Sequence, residues 1–187
     1  MVDLVYTANA SVDGYTEDPD GRFDWSEPDE EVFSFITELE RQAGTYLYGR
    51  RMYEAMVYWE SADPEEGYVR EFAEMWRNAD KVVYSRSLDS VSSARTTLEH
   101  DFDPEVVRRF KAAAARRITV GGADLAGQAL AAGLVDELRL LIVPVVLGGG
   151  KPWLPRGVHW PLRLLETRRF ASGVVYLRYR LDLDRRD

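Results

Sequence analysis

Three short polar segments are suited to binding the phosphate groups of a ligand. Residues 49–51 are Gly-Arg-Arg at the start of a predicted helix, residues 85–87 are Ser-Arg-Ser, and residues 121–122 are a glycine pair. Arginines in the first turn of a helix oppose the helix dipole, so their placement favours an anion beside them. A glycine pair between a strand and a helix lets backbone N–H groups approach a diphosphate. The two hydroxyls and the guanidinium group of residues 85–87 suit a ribose 2′-phosphate. Together the three segments predict a site for a phosphorylated dinucleotide.

Each of these signals has an alternative explanation. A glycine pair also makes a tight turn that binds no ligand, and arginine pairs are commonly solvated surface. The Gly-x-Gly-x-x-Gly motif that is typical of Rossmann folds is missing after the first predicted strand. The placement of all three segments after successive strands is what favours one shared site.

Asp13 is the candidate for acid–base chemistry. It lies in the segment Ser11-Val12-Asp13-Gly14 after the first predicted strand, where a carboxylate could exchange a proton with a bound substrate. An ordinary aspartate–glycine turn is the alternative. Trp25 and Trp153 lie in predicted loops and could stack against a planar substrate.

The composition excludes several other kinds of site. The chain has no cysteine and two histidines, so we expect neither a disulfide framework nor a metal centre. Its formal net charge of −8 would repel nucleic acid. The N-terminus lacks the pattern of a signal peptide, and no apolar run approaches the roughly 18 residues of a membrane span. We therefore expect a cytoplasmic protein that binds neither nucleic acid nor a membrane.

Alternating strands and helices must position these residues. A chain of 187 residues, 45% of them hydrophobic, is expected to form a single domain spanning 1–187. Apolar periodicity and turn residues predict helices at 28–41, 50–58, 64–78, 104–115 and 124–132, and strands at 2–8, 45–48, 81–84, 118–120, 138–146, 162–170 and 174–183. This order predicts an α/β fold with a mostly parallel central sheet, helices on both faces and an antiparallel C-terminal hairpin. Such sheets bind ligands at the carboxyl ends of their strands, where the polar segments lie.

Five motifs together resemble a known superfamily. They are Ser11-Val12-Asp13-Gly14-Tyr15, Gly49-Arg50-Arg51-Met52-Tyr53-Glu54, Lys81-Val82-Val83-Tyr84-Ser85-Arg86-Ser87-Leu88, Gly133-Leu134-Val135-Asp136-Glu137 and Pro144-Val145-Val146-Leu147-Gly148-Gly149-Gly150-Lys151-Pro152. On these motifs the sequence resembles the superfamily of dihydrofolate reductase and of the C-terminal reductase domain of the bifunctional riboflavin-biosynthesis deaminase/reductase, including its stand-alone bacterial members. The resemblance spans essentially the whole chain, with the motifs in the superfamily's order. It implies a dihydrofolate reductase-like three-layer fold.

The resemblance also implies particular ligands and contacts. NADPH is the usual cofactor of this superfamily, and related reductases commonly form homodimers. Matching motifs assign the cofactor contacts to Ala8, Gly49, Arg50, Arg51, Ser85, Arg86, Ser87, Gly121, Gly122, Ala123, Asp124 and Leu125. Ala8 would hold the nicotinamide carboxamide, and residues 121–124 would hold the diphosphate. The substrate pocket would include Trp25, Phe33, Leu147, Gly148 and Trp153.

Three positions depart from the superfamily's pattern. Phe33 stands where dihydrofolate reductase has a pocket carboxylate, and Thr7 and Val120 stand where the riboflavin-type reductase has lysine and glutamate. These differences point away from folate and from a ribosyl-phosphate pyrimidine as the substrate. The interpretation is an NADPH-dependent oxidoreductase that transfers a hydride to a small pterin- or pyrimidine-like heterocycle. The alternatives are a non-enzymatic nucleotide- or flavin-binding module and a structural protein that retains the fold.

An apolar run at 140–147 gives a second reason to expect a homodimer. The run is longer than one half-buried strand face needs, and Trp153 and Leu154 follow in a predicted loop. A fully buried central strand would also explain the run. It would not explain two apolar side chains in the loop, so a symmetric dimer is the preferred interpretation.

Overall fold

Ten strands and five helices make up the described part of the chain, residues 1–65 and 67–182 in a computed structural model. The strands are β1 (Leu4–Ser11), β2 (Tyr15–Glu17), β3 (Ala43–Gly49), β4 (Asp80–Tyr84), β5 (Thr96–Glu99), β6 (Arg117–Gly121), β7 (Glu137–Val143), β8 (Lys151–Pro152), β9 (Leu162–Arg169) and β10 (Val175–Leu181). The helices are α1 (Glu30–Glu40), α2 (Arg50–Met56), α3 (Gly67–Asn78), α4 (Pro104–Ala113) and α5 (Ala123–Ala131), with 3₁₀ turns at Asp24–Ser26 and Val57–Glu60.

Eight strands form the main sheet, in the order β5-β4-β3-β6-β1-β7-β10-β9. Within the described residues, β10 alone runs against the others, and it forms an antiparallel hairpin with β9. The predicted parallel sheet and C-terminal hairpin are therefore confirmed. The chain passes from β1 across β6 to β3, whereas it passes from β6 across β1 to β7. One connection therefore runs towards β3 and the other towards β7, on opposite sides of the β1–β6 pair. Open α/β sheets bind ligands where the chain connections reverse direction in this way.

Helices cover both faces of the sheet and give the molecule three layers. On one face, Val107 of α4 and Leu125 of α5 pack in a cluster with Tyr6 of β1. On the other face, Phe72 of α3 and Val32 of α1 belong to two smaller apolar clusters. Burial of each such side chain contributes about 1.5–3 kcal/mol to folding. Because strand residues alternate between faces, consecutive β1 residues contact different helix layers.

The helices begin in two different ways. Aspartates cap α1 and α4, where Asp29 and Asp103 accept hydrogen bonds from backbone N–H groups at 2.9 and 2.8 Å. Gly49 and Gly122 are the N-cap residues of α2 and α5, and no side chain caps the N–H groups of these two helices. The first N–H groups of α2 and α5 therefore lack the side-chain acceptor that α1 and α4 have.

The structure corrects several predicted element ends. β7 ends at Val143, before the predicted end at 146, because Pro144 has no N–H group to offer the sheet. β5 was not expected from the sequence, since it is a four-residue, half-buried edge strand. Residue 66 of the predicted helix 64–78 and residue 183 of the predicted last strand lie outside the described residues.

β2 and β8 form a separate two-stranded sheet that joins two loops, 11–23 and 144–153. Glu17 pairs with Lys151 in this sheet. Gly150 has a φ of 125°, and a β-carbon there would lie 1.9 Å from the carbonyl oxygen of Glu17. Only glycine allows this close approach of the two backbones.

No helix in residues 1–65 or 67–182 is long and apolar enough to cross a membrane. The longest of them, α3, has 12 residues. At ~1.5 Å per residue it measures about 18 Å, which is short of the roughly 30 Å hydrocarbon core. Over the same ranges, no three His, Asp or Glu side chains come together in a way that would hold a metal ion.

Candidate functional site

β1 extends beyond the end of β6 at their carboxyl ends. Their pairing stops where Tyr6 lies beside Val120, whereas β1 stays paired with β7 as far as Ser11. In the described sheet, residues 7–11 therefore have a neighbouring strand on the β7 side alone. Ala8 lies in this stretch and is 7% exposed. We call the position beside these residues, beyond the end of β6, the crevice between β1 and β6; it lies where the chain connections reverse direction.

The uncapped starts of α2 and α5 lie side by side next to this crevice. A β-carbon built on Gly122 would lie 3.9 Å from the Gly49 nitrogen and 3.4 Å from the Met52 β-carbon. Gly122 has a φ of 93°, which residues with side chains rarely adopt. Two helix N-termini without side-chain caps therefore come together at Gly49, Gly122 and Ala123. Their N–H groups and dipoles suit a diphosphate.

The two glycines of the pair at 121–122 are required for different reasons. A β-carbon on Gly121 would lie 3.0 Å from two ring atoms of Tyr48 and 3.1 Å from Met52. The Tyr48 ring is buried, and its hydroxyl accepts a hydrogen bond from Trp76. Gly121 is therefore explained by packing, and the left-handed φ of Gly122 carries the argument for a ligand.

Arg50 links the segments that follow β3 and β4. Its guanidinium donates to the Ser87 hydroxyl at 3.0 Å and to Glu54 at 2.7 Å. The buried Ser85 hydroxyl accepts hydrogen bonds from the N–H groups of Ser87 and Leu88, so it holds the turn. The structure thus brings 49–50 and 85–87 together, as the sequence predicts, and gives Ser85 a structural role.

The other two predicted phosphate-binding arginines already have carboxylate partners. Arg51 pairs with Glu17 at 2.8 Å, which turns its side chain towards the loop at 11–23. Arg86 pairs with Asp101, and its side chain is 83% exposed. These partners are far away in sequence, so they were not considered in predicting a basic island. The charge of the arginines does not by itself require an external anion.

A carboxylate and an ammonium group lie at the start of α5. Asp124, in the first turn, is 2.6 Å from the Lys151 ammonium nitrogen. Lys151 comes from β8 and so ties this helix to the small sheet. Asp124 opposes a diphosphate electrostatically, and Lys151 offsets that charge.

Asp13 joins two loops. Its carboxylate accepts hydrogen bonds from the N–H groups of Leu147 at 3.1 Å and of Gly148 at 2.7 Å. The Ser11 hydroxyl, followed by these two N–H groups, lowers the pKa of the Asp13 carboxyl below its usual value. A carboxyl that holds its charge this firmly is a poor proton donor. The geometry favours the turn interpretation of Asp13 over a catalytic one.

The five predicted substrate-pocket residues do not form one pocket. Phe33 packs in a ring cluster on the α1 and α3 face, where it is 5.4 Å from the Phe72 ring. Trp153 stacks against Tyr6 at 6.2 Å on the opposite face of the sheet. Trp25 donates its indole N–H to a nearby carbonyl, while Leu147 and Gly148 contact Asp13 as described above. The structure does not bring all five side chains together, because the sheet lies between Phe33 and Trp153.

The structure explains most of the apolar residues that suggested a dimer, although Val146 is 69% exposed. Leu138, Leu140 and Leu141 are buried within the chain itself. Trp153 and Leu154 are half-buried against the cluster around Tyr6. Trp153 and Leu154 are therefore not an exposed apolar loop, and these two side chains no longer give a reason for a dimer.

A cavity that the sequence analysis missed lies beside Asn9, on the α1 face of β1. Its volume is about 180 Å³, and its lining includes Val32, Leu141 and Val143. One signal could have indicated it: Thr7, Asn9 and Ser11 place polar side chains at every second position of an otherwise apolar strand.

Comparisons with known proteins agree with this architecture. A structure of a pyrimidine reductase-like protein from Corynebacterium diphtheriae is 16% identical, with a TM-score of 0.71, and covers 100% of this chain and 93% of its own. Dihydrofolate reductase from Enterococcus faecalis, complexed with NADP(H) and RAB-propyl, is 13% identical, with a TM-score of 0.62 and 96% of both chains covered. Both likenesses establish the dihydrofolate reductase-like fold.

Sequence comparison identifies the family. The uncharacterized protein YyaP of Bacillus subtilis (strain 168) is 30% identical over 182 residues, which cover 96% of this chain and 93% of YyaP. The family model described as the RibD C-terminal domain matches residues 3–176. The chain therefore belongs to the RibD C-terminal domain family.

Proposed function

We propose that the protein is an NADPH-dependent oxidoreductase that transfers a hydride to a small heterocyclic substrate. The observation that carries this proposal is the meeting of two uncapped helix N-termini, at Gly49 and Gly122, beside the crevice between β1 and β6. Membership of a reductase-type family supports it, as does the fold shared with a dihydrofolate reductase that was solved with NADP(H).

The residues around the crevice fit such a cofactor. The N–H groups of Gly122, Ala123 and Asp124 would bind the diphosphate, with Leu125 packing below them, and the backbone at Ala8 would hold the carboxamide. Arg50 and Ser87, already in contact, would bind the 2′-phosphate with Arg86. Arg86 would exchange its exposed partner Asp101 for the phosphate, and such pairs contribute only about 0–1 kcal/mol.

NADPH supplies the hydride when it is bound. The chain contributes binding, orientation and the exclusion of water, because Ala8 and its neighbours form a closely packed wall on β1. Asp13 remains ionised while it accepts the N–H groups of Leu147 and Gly148. We therefore expect any proton needed by the substrate to come from water.

Titration with NADPH, NADH and FMN tests this function, combined with an assay of NADPH oxidation in the presence of candidate heterocycles. We expect NADPH to bind and to be oxidised when a substrate is added. Binding of a nucleotide or flavin without oxidation would support the alternative of a non-enzymatic binding module. Failure to bind NADPH would contradict the proposal.

We also propose that the protein is a homodimer. The reason from the structure is the outer strand β9, whose Leu162 and Leu164 side chains are 39% and 51% exposed. An edge strand with exposed apolar side chains is a surface on which a second chain can pack.

A further inference from the structure

The cavity beside Asn9 lies next to the proposed nicotinamide position. Asn9 directly follows Ala8, where β1 borders the crevice. The first turn of α1, the end of β7 and the C-terminal hairpin enclose the cavity, with Val32, Leu141 and Ser172 among the lining residues. Pockets for drug-sized ligands measure about 300–1,000 Å³. At about 180 Å³ this cavity suits a single ring or a small fused pair of rings.

Asn9 is a hydrogen-bonding group without a protein partner in a largely apolar wall. It lies opposite Leu141 on β7, and no described residue hydrogen-bonds to its side chain. Thr7, two residues earlier on the same face, has a buried hydroxyl oxygen that also lacks a partner. A buried hydroxyl such as that of Thr7 is costly unless something pairs with it. The Asn9 side chain is half-buried at the cavity wall, where a ligand can reach its polar atoms. A carboxamide offers two donors and one acceptor, which match the lactam or amidine edge of a heterocycle.

The charges around the cavity are all negative. Glu27 and Asp29 line it, and no lysine, arginine or histidine within residues 1–65 and 67–182 does. Arg168 lies on the same side of the sheet, but it pairs with Glu31 at 3.2 Å and packs over the rings of Phe35 and Phe170. A phosphate or carboxylate on the substrate would therefore meet like charges without a compensating cation.

We infer that Asn9 is the specificity-determining residue of the substrate site, and that Glu27 and Asp29 restrict this site to uncharged or cationic nitrogen heterocycles. Asn9 pairs with the lactam or amidine edge of the ring, and the two carboxylates disfavour phosphorylated or carboxylated rings. This inference rests on the proposed reductase function, because it places the substrate beside the cofactor crevice.

The side-chain amide of Asn9 provides a direct test by nuclear magnetic resonance. The chain has four carboxamide side chains, Asn9, Gln42, Asn78 and Gln128, so their signals can be resolved, and the Asn9→Ala variant assigns one pair. The probe is lumazine, an uncharged lactam below neutral pH. We expect lumazine to shift the Asn9 amide signals and to leave those of Asn78, at the opposite edge of the sheet, unchanged.

Affinity measurements with matched variants test the role of Asn9. Loss of hydrogen bonds worth about 1.5 kcal/mol predicts that Asn9→Ala weakens lumazine binding about tenfold. The control Asn78→Ala should bind lumazine as the parent does. Absence of lumazine binding, or binding that neither shifts the Asn9 signals nor weakens in Asn9→Ala, would overturn the inference.

A second ligand tests the exclusion of anions. Lumazine-6-carboxylate has the same rings and one added charge, and we expect it to bind at least about tenfold more weakly than lumazine. Glu27→Gln combined with Asp29→Asn should remove most of this difference, and asparagine still caps α1. Equal affinity of the parent for both ligands would overturn the exclusion.

NADPH titration of the same samples separates this inference from the proposed function. If NADPH binds but lumazine does not, the inference about Asn9 fails and the reductase proposal stands. If lumazine binds at Asn9 but NADPH does not bind, the reductase proposal fails and the recognition of the heterocycle stands.

Discussion

Arg50 donates a hydrogen bond of 3.0 Å to Ser87 and so joins the ends of β3 and β4. This contact fixes one guanidinium group beside the Ser-Arg-Ser segment before any ligand arrives. A preformed contact lowers the entropic cost of binding a phosphate there. Arg86 directly precedes Ser87, so its replacement tests whether binding of a phosphate here needs a positive charge.

Replacement of Arg86 by alanine should distinguish NADPH from NADH. A hydrogen bond to a charged group contributes about 1.5–3 kcal/mol, so we expect Arg86→Ala to weaken NADPH binding about tenfold or more. NADH binding should hardly change, because NADH lacks the 2′-phosphate. Calorimetric titration measures both, with Arg41→Ala as a control at the opposite edge of the sheet. Identical NADPH affinity in Arg86→Ala and the parent would contradict the assignment.

Gly122→Val should abolish cofactor binding and also lower stability. The left-handed φ of 93° is strained for valine by about 1–3 kcal/mol, and its side chain would enter the proposed diphosphate site. Thermal unfolding and NADPH titration measure the two effects. Gly127→Ala, in the middle of the same helix, has ordinary space for a methyl group and should keep binding intact. Full NADPH binding by folded Gly122→Val would place the diphosphate elsewhere.

The charges at the start of α5 predict opposite effects for two variants. Asp124→Asn removes a carboxylate from the proposed diphosphate site and should tighten NADPH binding, by about fivefold for an interaction near 1 kcal/mol. Lys151→Met leaves the Asp124 carboxylate unpaired and should weaken NADPH binding by a similar factor. Both effects should shrink at high salt. The same direction of change in both variants would show that the diphosphate does not lie at this helix.

Asp13 should control the order of two loops in a pH-dependent way. Its pKa is lowered in the folded protein. The stability that the charged Asp13 carboxylate contributes is therefore present above the ordinary aspartate pKa, and it is lost as the pH falls through the lowered value. Amide hydrogen exchange at Gly148 should therefore accelerate in acid, and Asp13→Asn should exchange fast across the range. If Asp13 instead donates a proton to substrate, Asp13→Asn will lose turnover with unchanged Gly148 exchange.

The proposed dimer should depend on β9 and not on Trp153. Leu164→Asp places a charge on an exposed position of the edge strand and should shift the protein to monomer, whereas Val106→Asp on α4 should not. Trp153→Asp should lower the melting temperature, because Trp153 packs on Tyr6. Sedimentation equilibrium decides the assembly: a single species at the chain mass of 21.4 kDa for the parent would rule out the dimer.

The sheet could be predicted from sequence because local patterns determine it. Runs such as 81–84 and 118–120 are apolar and β-branched, and helical periodicity follows them. The strand ends then place residues 49–51 and 121–122 at one edge without any knowledge of distant contacts.

The details of the site depend on contacts that no local pattern records. Glu17 and Asp101 neutralise arginines far from them in sequence. Phe33 and Trp153 both suit a pocket by residue type, yet the sheet lies between them. Asn9 could not be predicted as a site residue from its type alone, because a single polar residue in a buried strand indicates no function. Only the alternation of polar and apolar residues along β1 distinguishes it.

The close approach of Gly150 to Glu17 makes the loops 11–23 and 144–153 one structural unit. Asp13 with Gly148, and Gly14 with Trp153, add hydrogen bonds between the same two segments. A chimera that took one of these loops from a relative and kept the other would lose this fit. Grafting of these loops between family members therefore has to transfer both segments together.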